Sequence, residues 1–281
     1  VDSSQLELPF WDDFSTVIQM PDTGKWMQGQ GTAVIAPGIG IDPPTVNVAV
    51  FDGWNNMGVP YRADELAFGA RDSLVSKIID QDQVVAGKRE TVYFSFFWQK
   101  EGNGEQPDEP DSLALLFMNK DKKWVRIWSV SGAEVQETDR FFQEIFHVDT
   151  AYFDPYFQFR FQSYGRLSGG FDSWNVDYVF MNYDRNENDL AYPDRALTST
   201  PSSFLNNYAA MPYDHFIMDV ASNLSTVQVD FYNMDSQVQP IEYSTLIRDT
   251  LKIYDQMDDL SVLDPNPGGF ERRTIVSNPV D

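Results

Sequence analysis

Two segments place carboxylates beside aromatic residues. They are Pro9-Phe10-Trp11-Asp12-Asp13-Phe14-Ser15 and Gly169-Gly170-Phe171-Asp172-Ser173-Trp174-Asn175-Val176-Asp177-Tyr178-Val179. Carboxylates combined with backbone carbonyls are the donor set of a hard cation such as calcium, which takes oxygen ligands at roughly 2.3–2.6 Å. Asp13 and Asp177, with Asp12 or Asp172 beside them, are therefore candidate ligands of a structural Ca2+. Neither segment has the tight ligand spacing of an EF-hand loop. Aspartates that cap turns and accept backbone N–H groups would leave the same sequence trace.

Catalytic constellations are hard to assemble from what remains. A retaining glycosidase needs two carboxylates about 5–5.5 Å apart. No strand-like segment carries two acids at a spacing that puts both on one face. Asp108-Glu109-Pro110-Asp111 belongs to a Gly-, Pro- and acid-rich stretch, Lys100–Asp111, expected as a solvated surface loop. The two histidines are isolated. His147 follows Ile145 and Phe146 and reads as a packed or edge histidine; His215 has no nucleophile motif such as Gly-x-Ser-x-Gly near it. There is no cysteine, which removes thiolate nucleophiles, thiolate metal sites and disulfides. Gly29-Gln30-Gly31 leads into a strand-like segment, so it is not a phosphate-binding loop before a helix. The expectation is a protein that is not an enzyme.

Aromatic residues offer another chemistry, because an exposed ring can stack on a pyranose. Trp54, in Asp52-Gly53-Trp54-Asn55-Asn56, is the best candidate, with Tyr61 nearby. Trp98 and Trp174 sit in apolar runs and are expected in the core.

The elements that must position these residues read as strands. Thr91–Gln99, Ser112–Met118, Lys123–Val130, Gln143–Val148, Tyr156–Gln162 and Trp174–Met181 are short, apolar or alternating, and separated by turn residues. Earlier strands are expected at Thr32–Ala36 and Asn47–Phe51, a helical turn at Arg62–Phe68, and a strand at Ser73–Asp80 that pairs late in the chain. The two tryptophans of Lys123–Val130 are expected on one face. After Met181 the chain turns polar, and 202–219 has the look of one or two short helices. Ser225–Asn233, Ile241–Asp249, Asp249–Tyr254 and Arg272–Ser277 then return to strand patterns. The expected fold is all-β. A jelly-roll-like β-sandwich (1–185) is followed by a linker with short helices (186–222) and a smaller β domain of immunoglobulin type, complete or truncated (223–281).

Charge narrows the partners. The 281 residues hold 43 Asp and Glu against 20 Lys and Arg, a formal net charge of −23. Such a surface repels phosphate backbones and anionic bilayers, so nucleic acid is not an expected partner. It suits divalent cations, neutral glycans or a protein with a basic patch. No stretch approaches the roughly 20 apolar residues that span a bilayer, so direct membrane insertion is not expected. Val1-Asp2-Ser3-Ser4 reads as a mature or trimmed start, and the whole as a fragment of a longer protein.

The two aspartate-bearing segments together resemble the opening and closing strands of MAM and laminin-G/concanavalin-like jelly rolls in large surface proteins of Bacteroidetes. Val48-Ala49-Val50-Phe51-Asp52-Gly53-Trp54-Asn55, Gly58-Val59-Pro60-Tyr61 and Val92–Gln99 are similar to N-terminal regions of proteins associated with type IX secretion and gliding motility. The resemblance covers about residues 5–185 and departs from MAM domains in having no cysteine. It implies an extracellular, outer-membrane-associated location. It also implies a non-catalytic role in adhesion, assembly or protein–protein contact, with the export or gliding machinery as partner. The alternatives are a carbohydrate-binding module and, after that, a glycoside hydrolase or lyase.

Overall fold

The computed structural model describes residues 5–63, 67–134, 136–248 and 253–278. The chain is mostly β, with 39% of residues in strands and no helix of seven residues or more among the described residues. No helix among the described residues is long and apolar enough to cross a membrane. The chain divides into two compact units, Val1–Leu190 and Ala191–Asp281.

The first unit contains ten strands among its described residues: β1 (Phe10–Asp12), β2 (Val34–Ala36), β3 (Val48–Phe51), β4 (Phe68–Val75), β5 (Tyr93–Lys100), β6 (Ser112–Met118), β7 (Trp124–Ser131), β8 (Phe142–His147), β9 (Phe159–Arg166) and β10 (Trp174–Asn182). Six form one sheet in the order β2-β3-β10-β5-β8, with β1 also pairing β10; four form the other in the order β4-β9-β6-β7. The first and last strands are antiparallel neighbours, Phe10 opposite Met181 and Asp12 opposite Val179, as a jelly roll requires. Of the helical turn expected at Arg62–Phe68, residues 64–66 lie outside the described residues and Phe68 opens β4. β4 pairs β9, the late partner expected for the strand placed slightly further on.

Alternation explains the core. Phe94, Phe96 and Trp98 of β5 point inward and meet Phe159 and Phe161 of β9 across the sandwich. Edge-to-face pairs such as Phe94–Phe159 (centroids 4.7 Å apart) and Phe96–Phe161 (4.8 Å) add about 0.5–1.5 kcal/mol each beyond burial. Trp98 and Trp174 are buried, as expected of them. On the opposite faces of β5 and β10, Ser95, Gln99, Asn175 and Asp177 are polar yet also buried. Gln99 bonds both the N–H and the carbonyl of Ile41 at 2.9 Å, and Asn47 donates to the carbonyls of Phe14 and Val17. Both buried amides thus keep hydrogen bonds to the loops that cover them.

The tryptophans of β7 do not share a face. A bulge between Leu115 and Leu116 sets Trp128 opposite Leu115 and Arg126 opposite Leu116, so the inside–outside alternation slips by one residue. Trp128 packs inward on Trp98, whereas Trp124 lies outside under the Arg160 guanidinium, 4.6 Å from its ring centre.

The second unit contains five strands among its described residues: β11 (Arg195–Leu197), β12 (Val227–Asn233), β13 (Glu242–Arg248), β14 (Ile253–Val262) and β15 (Arg272–Ser277). β11-β12-β15 form one sheet and β13-β14 a hairpin. Part of 186–222, expected as a linker, is therefore built into the sheet as β11; the same stretch holds two single-turn helices, α1 (Tyr213–Phe216) and α2 (Val220–Asn223). Residues 249–252 of the strand expected at Asp249–Tyr254 lie outside the described residues. Among the described residues a core cluster is formed by Phe231, Ile241 and Ile275, with Val229, Tyr243 and Leu263 against them.

Candidate functional site

The richest set of titratable groups lies at one end of the first unit, where the loops 52–61, 101–111 and 167–173 converge on β4. β4 carries a bulge between Ala70 and Ser73, so Arg71 and Asp72 both turn inward and are almost wholly buried. Arg71 is the hub. Its Nη1 donates to the Phe171 carbonyl (2.8 Å) and to Asp172 Oδ2 (3.2 Å), and its Nη2 to the Asp172 carbonyl (3.2 Å). Asp72 accepts from the Gly53 N–H and the Tyr61 hydroxyl, both at 2.7 Å. Gly53 needs to be glycine: its φ is +81°, and a Cβ there would lie 2.8 Å from the Gly169 carbonyl oxygen and 2.9 Å from Arg71 Nη1.

Next to Arg71, one carboxylate oxygen each from Asp108, Asp111 and Asp172 fall within 4.8 Å of one another. Ligands at 2.3–2.6 Å from one cation stand no more than about 5 Å apart, so this acidic cluster can hold a metal ion. Arg166 pairs with Asp108 at 3.3 Å, and Arg71 with Asp172. Asp111 has one oxygen bonded to the Asp108 N–H (2.9 Å), while its buried Oδ1 has no hydrogen-bond partner. Burial first, then the neighbouring Asp172 carboxyl, push the Asp111 pKa up to about 6. Asp111 is 1% exposed, so the loop expected to be solvated buries its last acid, while Asp108 and Glu109 stay exposed.

The four aspartates proposed from sequence as ligands do not all come together. Asp172 is at this loop end. Asp177 lies further along β10, fully buried, at a second bulge between Asp177 and Phe180. Its carboxylate accepts from the Thr45 N–H (2.9 Å), the Thr45 hydroxyl (3.0 and 3.1 Å) and the Tyr178 N–H (2.6 Å). The same hydroxyl lies 2.6 Å from the Asp13 carbonyl, so Asp13 and Asp177 do approach one another, joined by Thr45. Burial drives the Asp177 pKa well above the usual carboxylate range, and the charge of Asp13 adds to this. Asp13 Oδ1 accepts from the Ser15 N–H and hydroxyl. Asp12 faces the core, where it accepts from Trp26 Nε1 (2.5 Å) and pairs with Lys25 Nζ (3.0 Å). Asp12, Asp13 and Asp177 hold β1, the Thr45 loop and β10 together through protein donors.

Trp54 is 38% exposed, and its indole lies on Gly170, where a Cβ would come within 1.5 Å of Nε1. Met57 and Val59 of the same loop are exposed beside it, as is Phe171 of the facing loop. Tyr61 is half-buried, and burial together with Asp72 raises its hydroxyl pKa. Asp72 has the raised pKa of a general acid, about 6, mainly from burial. With both oxygens bonded and 1% exposure, it lies out of reach of a substrate. His147 is on the edge strand β8, 3.7 Å from Glu90, and His215 is exposed on α1.

Arg71, Asp72, Thr45 and Asp111 were not legible as site residues. The one signal was the Arg71-Asp72 pair inside an otherwise strand-like segment, where two adjacent charges cannot both face solvent.

No family model and no curated protein matches the sequence. Among solved structures, the chain is similar to a mutant Xylanase10C from Cellvibrio japonicus in complex with xylopentaose, at 10% identity and a TM-score of 0.30. The match covers 63% of this chain and 31% of that one, so the chain spans about a third of its length.

Proposed function

We propose that this chain is a non-catalytic binding module of a cell-surface protein, working in adhesion, assembly or protein–protein contact. The outer-membrane export or gliding machinery of the resembled proteins is the partner this suggests. The observation that carries the proposal is the division of labour at the loop end. Arg71 and Asp72 are spent on fixing loops, while Trp54, Met57, Val59 and Phe171 face solvent as a contact surface. A screen of polysaccharides with the purified chain tests it. No turnover is expected; turnover abolished by substitution of one carboxylate would overturn the proposal.

The acidic cluster is assigned to calcium. Its donors are all hard carboxylate oxygens, and the buried, unpartnered Asp111 Oδ1 is the atom a cation would satisfy. The ion would tie the 101–111 loop to the 167–173 loop and so rigidify the contact surface.

Carbohydrate binding is the second reading, favoured by the fixed, exposed indole of Trp54. Gly170→Ala forces that ring off its seat without altering any carboxylate. A glycan array in calcium is expected to lose its signal, at least tenfold, in both Trp54→Ala and Gly170→Ala. Binding unchanged in both variants excludes this surface.

A further inference from the structure

We propose that the outer face of the four-stranded sheet binds a carboxylated glycan of the polyuronate class, through Arg160, Arg126 and the Trp124 ring. The site is separate from the loop end described above. Alternation assigns the face. Phe159 and Phe161 of β9, Leu113, Leu115 and Phe117 of β6, and Leu74 of β4 point into the core. The residues between and beside them therefore point out, Arg160, Leu116 and Val75 among them. Pairing sets Val75, Arg160, Leu116 and Arg126 side by side in one row across β4-β9-β6-β7.

The face carries bases and no acid, in a chain with 43 acidic residues. β6, β7 and β9 contain no Asp or Glu, and the one acid of β4, Asp72, turns inward at its bulge. The turn into β7 adds to the bias, because 119–126 holds Lys120, Lys122, Lys123 and Arg126 against Asp121. Asp154, just before β9, is already paired with Lys122 at 2.7 Å. Arg160 is the anchor. Its side chain crosses from β9 over β6 to β7, about 9.5 Å, and its guanidinium lies 4.6 Å from the centre of the Trp124 ring. Its Nε is buried and has no hydrogen-bond partner. Among the described residues the charge that acts on it is that of the Tyr164 hydroxyl, not a carboxylate, and burial lowers its pKa. A guanidinium stacked on a ring keeps its in-plane N–H groups for a planar carboxylate, which it grips through two parallel bonds. The ligand supplies the anion that the fold does not. Arg126, exposed in the same row, offers a second cation.

The sheet selects the class of ligand. β6 and β9 are paired on both sides, so their backbone groups are spent within the sheet. An acidic peptide laid on this face finds no backbone partner. A polyuronate needs none, because it carries hydroxyls, carboxylates and apolar ring faces along its length. The centre of the face is low: Ala114 and Gln162 are paired across β6 and β9 and almost wholly buried, with Arg160 and Tyr164 standing on either side. Elsewhere the net charge of −23 repels such a ligand, which confines it to this face.

The test titrates the full chain into a fluorescently labelled galacturonate oligosaccharide and follows anisotropy. Chelator is present, so that calcium cannot bridge the ligand to the acidic cluster. Saturable binding is expected. It should weaken at least tenfold in Arg160→Gln and at least fivefold in Arg126→Gln. It should stay within twofold in Arg140→Gln, which removes the same charge from the loop before β8. Arg160→Lys keeps the charge without the fork and should remain at least fivefold weaker than the wild type. Arg126 is exposed, so its variant reads the site even where a change at Arg160 disturbs folding. The methyl-esterified oligosaccharide should bind at least tenfold more weakly. No saturable binding, binding unchanged in both Arg160→Gln and Arg126→Gln, or equal binding of the methyl ester would each overturn the proposal. So would equal binding of a glutamate peptide, because the occupant would then be an acidic protein segment. A loss in Arg140→Gln as large as in Arg126→Gln would reduce the effect to net charge and overturn it too. Calcium at the acidic cluster and glycan binding at Trp54 are read in other variants, so those readings and this one fail separately.

Discussion

Asp111 is a carboxyl that the folded chain keeps protonated to a higher pH than the unfolded chain does, about 6 against 3.8. The folded state then binds more protons between these values. Stability therefore falls as pH rises from about 4 to about 6, and stays at the lower level above that. The ionised carboxylate costs the fold about 1–2 kcal/mol at neutral pH, after allowance for screening by solvent. A cation bound by Asp108, Asp111 and Asp172 would reverse that cost. Asp111→Asn is expected to raise the Tm at pH 7.5 in chelator, to leave it unchanged at pH 4, and to remove the rise that calcium gives the wild type. Thermal melts at the two pH values, with and without calcium, check all three. A calcium-dependent rise that survives in the variant would place the ion elsewhere. The sign of the pH effect is common to Asp72 and Asp177, both raised by burial, so Asp111→Asn flattens the profile without abolishing it.

At the scale of the strand, the sequence and the structure part company at bulges. The core was legible because Phe94, Phe96 and Trp98, or Phe159 and Phe161, alternate without interruption and report one face. A bulge inserts a residue that alternation does not announce. Three of them, in β4, β7 and β10, re-aim Arg71 and Asp72, Trp128, and Asp177. The pairing of β1 with β10 followed from jelly-roll logic, and it did bring Asp13 near Asp177. What could not be read was that Thr45, far off in sequence, would supply the donors, or that Asp172 would be drawn away by Arg71. The edge strand β8 shows a further device. Glu144 points in between the sheets, accepting from Trp98 Nε1 at 3.1 Å and from Trp128, and burial raises its pKa. A charge aimed inward from an edge strand discourages another strand from docking there, because docking would bury it further. Glu144→Leu is expected to give a chain that associates through β8. Sedimentation velocity should show concentration-dependent dimers absent from the wild type, and a variant that stays monomeric up to about 100 μM would remove that role from Glu144.

Across the whole molecule, the two units have cores of very different size. The first encloses an aromatic sandwich, while among the described residues the second clusters around Phe231, Ile241 and Ile275. Stability is a small difference between large terms, and a unit that buries little apolar surface has little to set against chain entropy. The second unit should therefore unfold first. The sequence supplies its own probe, because all seven tryptophans, from Trp11 to Trp174, lie in the first unit. In a urea titration, far-UV circular dichroism is expected to show an early, shallow transition to which tryptophan emission is blind, followed by a steeper one that both report. Coincident transitions by the two probes would mean that the units unfold as one, and that the smaller core leaves the second unit no weaker than the first.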